Sequence, residues 1–216
     1  MSQDRRSMLS GALLYGIVDY GYVSPEKMGS VCRELIDGGA DVIQLRAKGI
    51  DKDSVKEKAK ELLPICRSAG IPFILNDYPE MAVEIDADGV HVGQDDGEIS
   101  EVRKIVGEKM LIGRSTHSLP QAIKALSDDV DYIGYGPLFP TPTKAGRPAI
   151  GLDEVAEMEA LVGNSLPAFC IGGIKQENLQ EVIFAGARRC VIVSSLLTAE
   201  NISAATNAAK QSLSPA

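Results

Sequence analysis

Eight short runs of apolar or β-branched residues recur along the chain, at Leu13 to Val18, Val42 to Leu45, Phe73 to Leu75, Gly89 to Val92, Met110 to Gly113, Tyr132 to Tyr135, Ala168 to Ile171 and Cys190 to Val193. Runs this short and this apolar read as strands buried on both faces. The segments between them have helical spacing. Ser24-Pro25 is followed by Met28, Val31, Leu35 and Ile36 and stops at Gly38-Gly39; Asp51 leads into Val55, Ala59, Leu62 and Leu63 and stops near Gly70. These are polar caps or first-turn prolines at the start and glycines at the end of amphipathic helices. Further helices are expected from near Tyr78, Gly97, Ser118, Leu152, Lys175 and Thr198, and Ser118-Leu-Pro120 has the cap-then-proline form of a helix start. Strands alternating with helices predict a parallel sheet with right-handed crossovers, and eight units predict closure into a (β/α)8 TIM barrel. A doubly wound open sheet is the alternative. Its usual Gly-x-Gly-x-x-Gly turn is absent after the first strand, which ends Ile17-Val18-Asp19-Tyr20.

Length and composition agree with one barrel. The 216 residues lie near the lower end for that fold and leave no room for a second domain, so a single domain over 1–216 is expected, with the polar stretch 1–10 as a frayed extension. No Trp, few aromatics and 21 glycines suit an aliphatic core with many strand-to-loop turns. Cys32, Cys66, Cys170 and Cys190 show no C-x-x-C spacing and read as small buried residues. No apolar stretch is long enough to span a bilayer and no secretory segment is visible, which makes the cytoplasm the expected location. A net charge of −8 without a basic stripe argues against nucleic acid. Against that overall field, clustered cations become informative.

Such clusters fall at the strand ends. Phe169-Cys-Ile-Gly-Gly-Ile174 and Cys190-Val-Ile-Val-Ser-Ser195 read as a phosphate cup after strands seven and eight, built from backbone N–H groups. Period-two alternation points Gln44, Arg46 and Lys48 to one side at the end of strand two, a set suited to clamping a polyanion; a surface charge cluster is the plainer reading. Strand three ends in Asn76-Asp77 and strand four runs into Gln94-Asp95-Asp96. Carboxylates from neighbouring lips suit Mg2+, which takes one or two of them together with water and phosphate oxygens, whereas the plainer reading makes them helix caps. Strand five leads to Arg114-Ser115-Thr116-His117, with His117 either a general base or a local hydrogen-bonding group. Strand six opens a proline- and glycine-rich segment, Gly136 to Gly146, that carries Thr141, Thr143 and Lys144 and reads as a mobile loop over the barrel mouth.

In this order, Tyr15 to Asp19, Gln44-Leu-Arg-Ala-Lys48, Asn76-Asp77, Gly93-Gln-Asp-Asp96, Gly113 to His117, Gly136 to Lys144, Ile171 to Ile174 and Val193-Ser194 resemble the thiamine phosphate synthase family over roughly 13–197. The resemblance implies a transferase that joins a hydroxymethylpyrimidine diphosphate to a thiazole phosphate or its carboxylated form, releasing pyrophosphate. It implies that Gln44, Arg46, Lys48, Asn76, Ser115 and Lys144 hold the pyrimidine diphosphate, with Arg46, Ser115 and Lys144 acting on the reacting group. Asp77 and Asp96 would hold Mg2+, and Thr141, Thr143, Gly173, Val193 and Ser194 the thiazole phosphate. Ala47 stands where the family often has Glu, and Val18 where Thr is common. Two readings stay beside it: a thiazole tautomerase on the same barrel, which uses a histidine in the region of His117, and a noncatalytic phosphate-ligand sensor. Small-molecule substrates are the expected partners, and a homo-oligomer is compatible with the chain.

Overall fold

The apolar runs pair in parallel and in chain order. β1 (Leu14–Asp19), β2 (Val42–Arg46), β3 (Phe73–Asn76), β4 (Gly89–Val92), β5 (Leu111–Thr116), β6 (Tyr132–Tyr135), β7 (Ala168–Ile171) and β8 (Cys190–Ile192) form a closed barrel in which β8 returns to β1. This is a computed structural model that describes residues 7, 9–141 and 148–214. Thr143 and Lys144 therefore lie outside the described residues.

The helices follow the caps. After a 3-10 turn at Pro25–Lys27 come α1 (Met28–Asp37) and α2 (Lys52–Ala69); Asp51 accepts the Ser54 N–H at the start of α2, and Gly70 ends it in the left-handed region. α3 (Pro79–Glu84), α4 (Ile99–Val106), α5 (Leu119–Ala125), α6 (Val155–Met158), α7 (Leu179–Phe184) and α9 (Ile202–Leu213) fall where helix starts are expected, shifted by a few residues. A single π turn, Glu159–Gly163, continues α6, and the short α8 (Ser194–Leu197) begins directly after β8. β5 runs three residues past its apolar stretch, because Ser115 and Thr116 pair with Gly134 and Tyr135 of β6.

Alternation along the strands divides the core in two. Leu14, Val18, Ile43, Leu45, Val90 and Ile133 pack outward against the helices, while Tyr15, Ile17, Val42, Ile74, Leu111, Tyr132, Phe169 and Val191 fill the barrel. Leu9, within the stretch expected to fray, is buried with this inner set. All four cysteines are buried and free.

The inner end of the barrel is tied by a repeated device. Asp41, Asp88 and Asp131 each stand just before an even-numbered strand and accept backbone N–H groups from the strand before it. Asp41 takes Leu13 and Leu14 (2.8 and 2.9 Å), Asp88 takes Phe73 (3.0 Å) and Asp131 takes Ile112 (2.9 Å). Asp88 and Asp131 are buried and Asp41 partly so, and a carboxylate holding such donors fixes the offset of neighbouring strands. Among the described residues no helix is long and apolar enough to cross a membrane.

Candidate functional site

Inward positions near the C-terminal strand ends surround one cavity of about 860 Å3, its open mouth included. Its floor is aromatic: Tyr15, Tyr132 and Phe169 pack edge-on or tilted, with ring centroids 5.4 to 5.8 Å apart. A polar chain crosses this floor. The Gln44 Nε2–H donates to the Tyr15 hydroxyl (2.9 Å), which lies 3.0 Å from the Tyr132 hydroxyl. His91 continues the chain, with Nδ1 3.1 Å from the Tyr132 hydroxyl and Nε2 3.0 Å from Ser115 Oγ. Burial raises both tyrosine hydroxyls above their ordinary range, so they stay neutral and act as hydrogen-bonding groups. The close approach of His91 and Tyr132 requires Gly113, where a Cβ would lie 2.1 Å from Tyr132 Cζ and 2.5 Å from His91 Nδ1.

From sequence alone, His91, Tyr15 and Tyr132 carry no assigned role in the site. A signal for His91 exists: in Gly89-Val-His-Val92 it is the polar residue between two outward valines, hence an inward one.

One side of the mouth is cationic and acidic at once. Arg46 lines the cavity, and its Nη1 lies 2.6 Å from Asp19 Oδ2. Lys48 Nζ is 3.4 Å from Asp77 Oδ2 on the lip, with the lysine half exposed. Asp77 also interacts directly with Asp96. Burial raises the Asp77 carboxyl above its ordinary range, Lys48 pulls it down, and the like charge of Asp96 pushes it up again. Neither carboxylate is a helix cap. Tyr78 stands at the N-cap of α3 and Glu98 at that of α4, while Asp96 Oδ2 accepts the Gly93 N–H at 2.6 Å. Asp77 sits at φ +73°, in the left-handed region. Two hard carboxylates held against each other despite burial and repulsion are a donor set that fits Mg2+. No third His, Cys, Asp or Glu joins them among the described residues, so water or substrate oxygens would complete the coordination.

The opposite side is built from loops after β6, β7 and β8. Gly172 and Gly173 have φ of +102° and +67°, and Asn178 staples the turn by donating to the Gly173 carbonyl (3.0 Å) and accepting the Lys175 N–H (2.7 Å). Successive N–H groups in such a turn form an anion-binding nest. The segment after β6 is fastened to this turn: Leu138 N–H donates to the Ile171 carbonyl and Phe139 N–H to that of Gly172. The start of the loop expected over the mouth is thus tied to this turn through Leu138 and Phe139, and its residues 142–146 lie outside the described residues. Gly173, Val193, Ser194 and Thr141 line the cavity here.

Of the residues singled out by sequence, Gln44, Arg46, Asn76, Ser115, Thr141, Gly173, Val193 and Ser194 therefore share one cavity, with Lys48, Asp77 and Asp96 joined to one another at its lip. His117 does not line the cavity; its Nδ1 lies 2.5 Å from the Gly136 carbonyl oxygen and its N–H donates to Gln121.

Comparison with known proteins gives the family. The sequence model of the family described as Thiamine monophosphate synthase matches residues 14–196. The chain is 41% identical over 196 residues to a thiamine-phosphate synthase of Shouchella clausii, covering 90% of this chain and 93% of that one. It is also 41% identical over 215 residues to one of Pelotomaculum thermopropionicum, covering 97% of both. Among solved structures, a thiamine phosphate pyrophosphorylase from Pyrococcus furiosus superimposes with a TM-score of 0.84 at 31% identity, covering 96% of each chain.

Proposed function

The chain belongs to the thiamine monophosphate synthase family, and from there we propose how its barrel mouth performs the synthase reaction of thiamine biosynthesis. The observation that carries the assignment of residues is a single cavity with two unlike anion sites facing each other. Arg46, with Lys48 beside it on the lip, lies on one side; the Gly172-Gly173 turn and Ser194 lie on the other. A pyrimidine diphosphate fits the first, with its ring over the Tyr15–Tyr132–Phe169 floor and its polar edge toward Gln44, His91 and Ser115. A thiazole phosphate fits the second, held by N–H groups near Gly173, Val193 and Ser194 and by Thr141.

The chemistry is a displacement in which no side chain need act as nucleophile. The methylene C–O bond breaks, pyrophosphate leaves with the electron pair, and the electron-rich pyrimidine carries the positive charge. The thiazole nitrogen then donates its lone pair to form the C–N bond. Arg46 and Lys48, with Lys144, would stabilise the charge that collects on the leaving oxygens, while Asn76 and Ser115 orient the diphosphate. Asp77 and Asp96 would hold Mg2+, whose chemistry here is neutralisation of that same charge. Anchoring the thiazole by its phosphate on the far side aims its nitrogen at the methylene carbon.

Purified protein given both substrates is expected to release pyrophosphate and form thiamine phosphate, with a requirement for Mg2+. Absence of pyrophosphate release together with isomerisation of a carboxylated thiazole phosphate would reverse the assignment in favour of the tautomerase. The ring nitrogen of His117 at the Gly136 carbonyl lends that alternative no support.

A further inference from the structure

Among the described residues that line the cavity, Arg46 is the only lysine or arginine, and it is held from behind by a carboxylate that does not itself line the cavity. We propose that Asp19 is a positioning residue for the diphosphate, fixing the Arg46 guanidinium in the orientation that receives it; this rests on the assignment of Arg46 to the diphosphate above.

The carboxylate is well placed to act as a rigid post. Asp19 is 1% exposed, its Oδ2 meets Arg46 Nη1 at 2.6 Å, and its Oδ1 accepts the Gly21 N–H at 2.8 Å. With both oxygens engaged, the carboxylate plane is set. The backbone around it is set as well: Tyr22 and Val23 N–H groups both donate to the Asp19 carbonyl at 3.0 Å, and Tyr20 N–H donates to the Arg46 carbonyl at 3.0 Å. The ends of β1 and β2 are therefore tied to each other. A guanidinium carries five N–H donors in a planar fork, and the Asp19 pair is made through Nη1, so the post orients the fork while Arg46 still borders the cavity.

Two effects of Asp19 oppose each other. Its charge repels a diphosphate, whereas its grip removes rotamer freedom that an untethered arginine would lose on docking. Pairing with Arg46 at 2.6 Å offsets most of the repulsion, which leaves pre-organisation as the larger effect. Two substitutions separate them. Asp19→Asn keeps the shape and an acceptor for Gly21 but removes the charge; Asp19→Glu keeps the charge but displaces the carboxylate by one methylene.

Binding of inorganic pyrophosphate in the presence of Mg2+ would be measured by titration calorimetry for the native protein, both Asp19 variants and Arg46→Gln, with KM for each substrate alongside. Both Asp19 variants are expected to weaken pyrophosphate and raise KM for the pyrimidine diphosphate by about tenfold, leaving KM for the thiazole phosphate within about twofold. Asp19→Glu keeps the charge, and losing it in Asp19→Asn would by itself tighten pyrophosphate, so weakening in either folded variant reports the lost grip. Unchanged or tighter pyrophosphate binding in a folded Asp19 variant overturns the proposal while Arg46→Gln still weakens it. Unchanged binding in Arg46→Gln overturns the assignment of Arg46 itself, and this proposal with it.

Discussion

Asp77→Asn is expected to make the metal-free protein more stable and the enzyme nearly inactive. Three features set the magnitude. First, the backbone survives: φ is +73° at this position, and Asn occupies the left-handed region at least as readily as Asp. Second, the pair with Lys48 is lost, but at 3.4 Å with the lysine 55% exposed it contributes at most about 1 kcal/mol. Third, the amide removes the burial cost of the carboxylate and its repulsion from Asp96, the kind of charge relief that commonly contributes about 0.5–2 kcal/mol. At mid-range values relief exceeds loss by roughly 0.5–1 kcal/mol, or about 1–4 °C in melting temperature for a chain of this size. The pH dependence carries a sign. A carboxyl raised in the folded state favours the protonated native form, so its contribution is fully present below the ordinary carboxylate range and is lost as pH rises through the folded value. The gain of the variant over the native protein should therefore vanish below the ordinary carboxylate range and grow toward neutrality. Calorimetric scans across pH, without and with Mg2+, test this. Mg2+ should stabilise the native protein by mass action and leave the variant unmoved. A variant less stable than the native protein at neutral pH, or one that Mg2+ still stabilises equally, would refute the reading of Asp77 as a ligand held at a cost.

Two further substitutions separate the mouth from the opposite end of the barrel. Gly173→Ala places a Cβ 2.7 Å from Phe139 Cβ at a φ of +67°; KM for the thiazole phosphate should rise at least about tenfold while pyrophosphate binding is kept, and equal effects on both would argue against separate anion sites. Asp131→Asn removes a buried carboxylate that accepts the Ile112 N–H and pairs with Arg103 at 3.0 Å, and leaves that guanidinium with Asp129, also at 3.0 Å, as its remaining counter-charge. The expected cost is about 1.5–3 kcal/mol, seen as a melting point roughly 5–10 °C lower with both KM values unchanged; an unaltered melting point would show that the pair adds little.

Much of the architecture is written in local pattern. Seven of the eight apolar runs lie within one residue of strand boundaries at each end, and the caps at Asp51 and Ser118 accept the N–H groups that their positions predict. The exception, β5, is lengthened by polar residues that become strand only by pairing with β6. The polar rim of the cavity was legible in the same way, because strand alternation and a strand's end place Gln44, Arg46, Asn76 and Ser115 at the mouth whatever their partners are.

Partnership was not legible. Asp19 meets Arg46 across 27 residues and His91 meets Tyr132 across 41, and no spacing rule links such positions. Which inward residue stands beside which depends on the stagger of neighbouring strands, set by pairings such as Gly113 with Tyr132 and by ties such as Asp131 to Ile112. The chain's own order of apolar and polar residues thus determined the eight units, their inner and outer faces and the chemistry offered at the mouth. Only closure of the barrel decided that Asp77 faces Asp96, that Arg46 leans on Asp19, and that a hydrogen-bonded chain of Gln44, Tyr15, Tyr132, His91 and Ser115 crosses the floor. The reason is physical: period-two geometry acts within a strand, whereas the contacts that tune charge and orient donors act between strands, at distances that register alone sets.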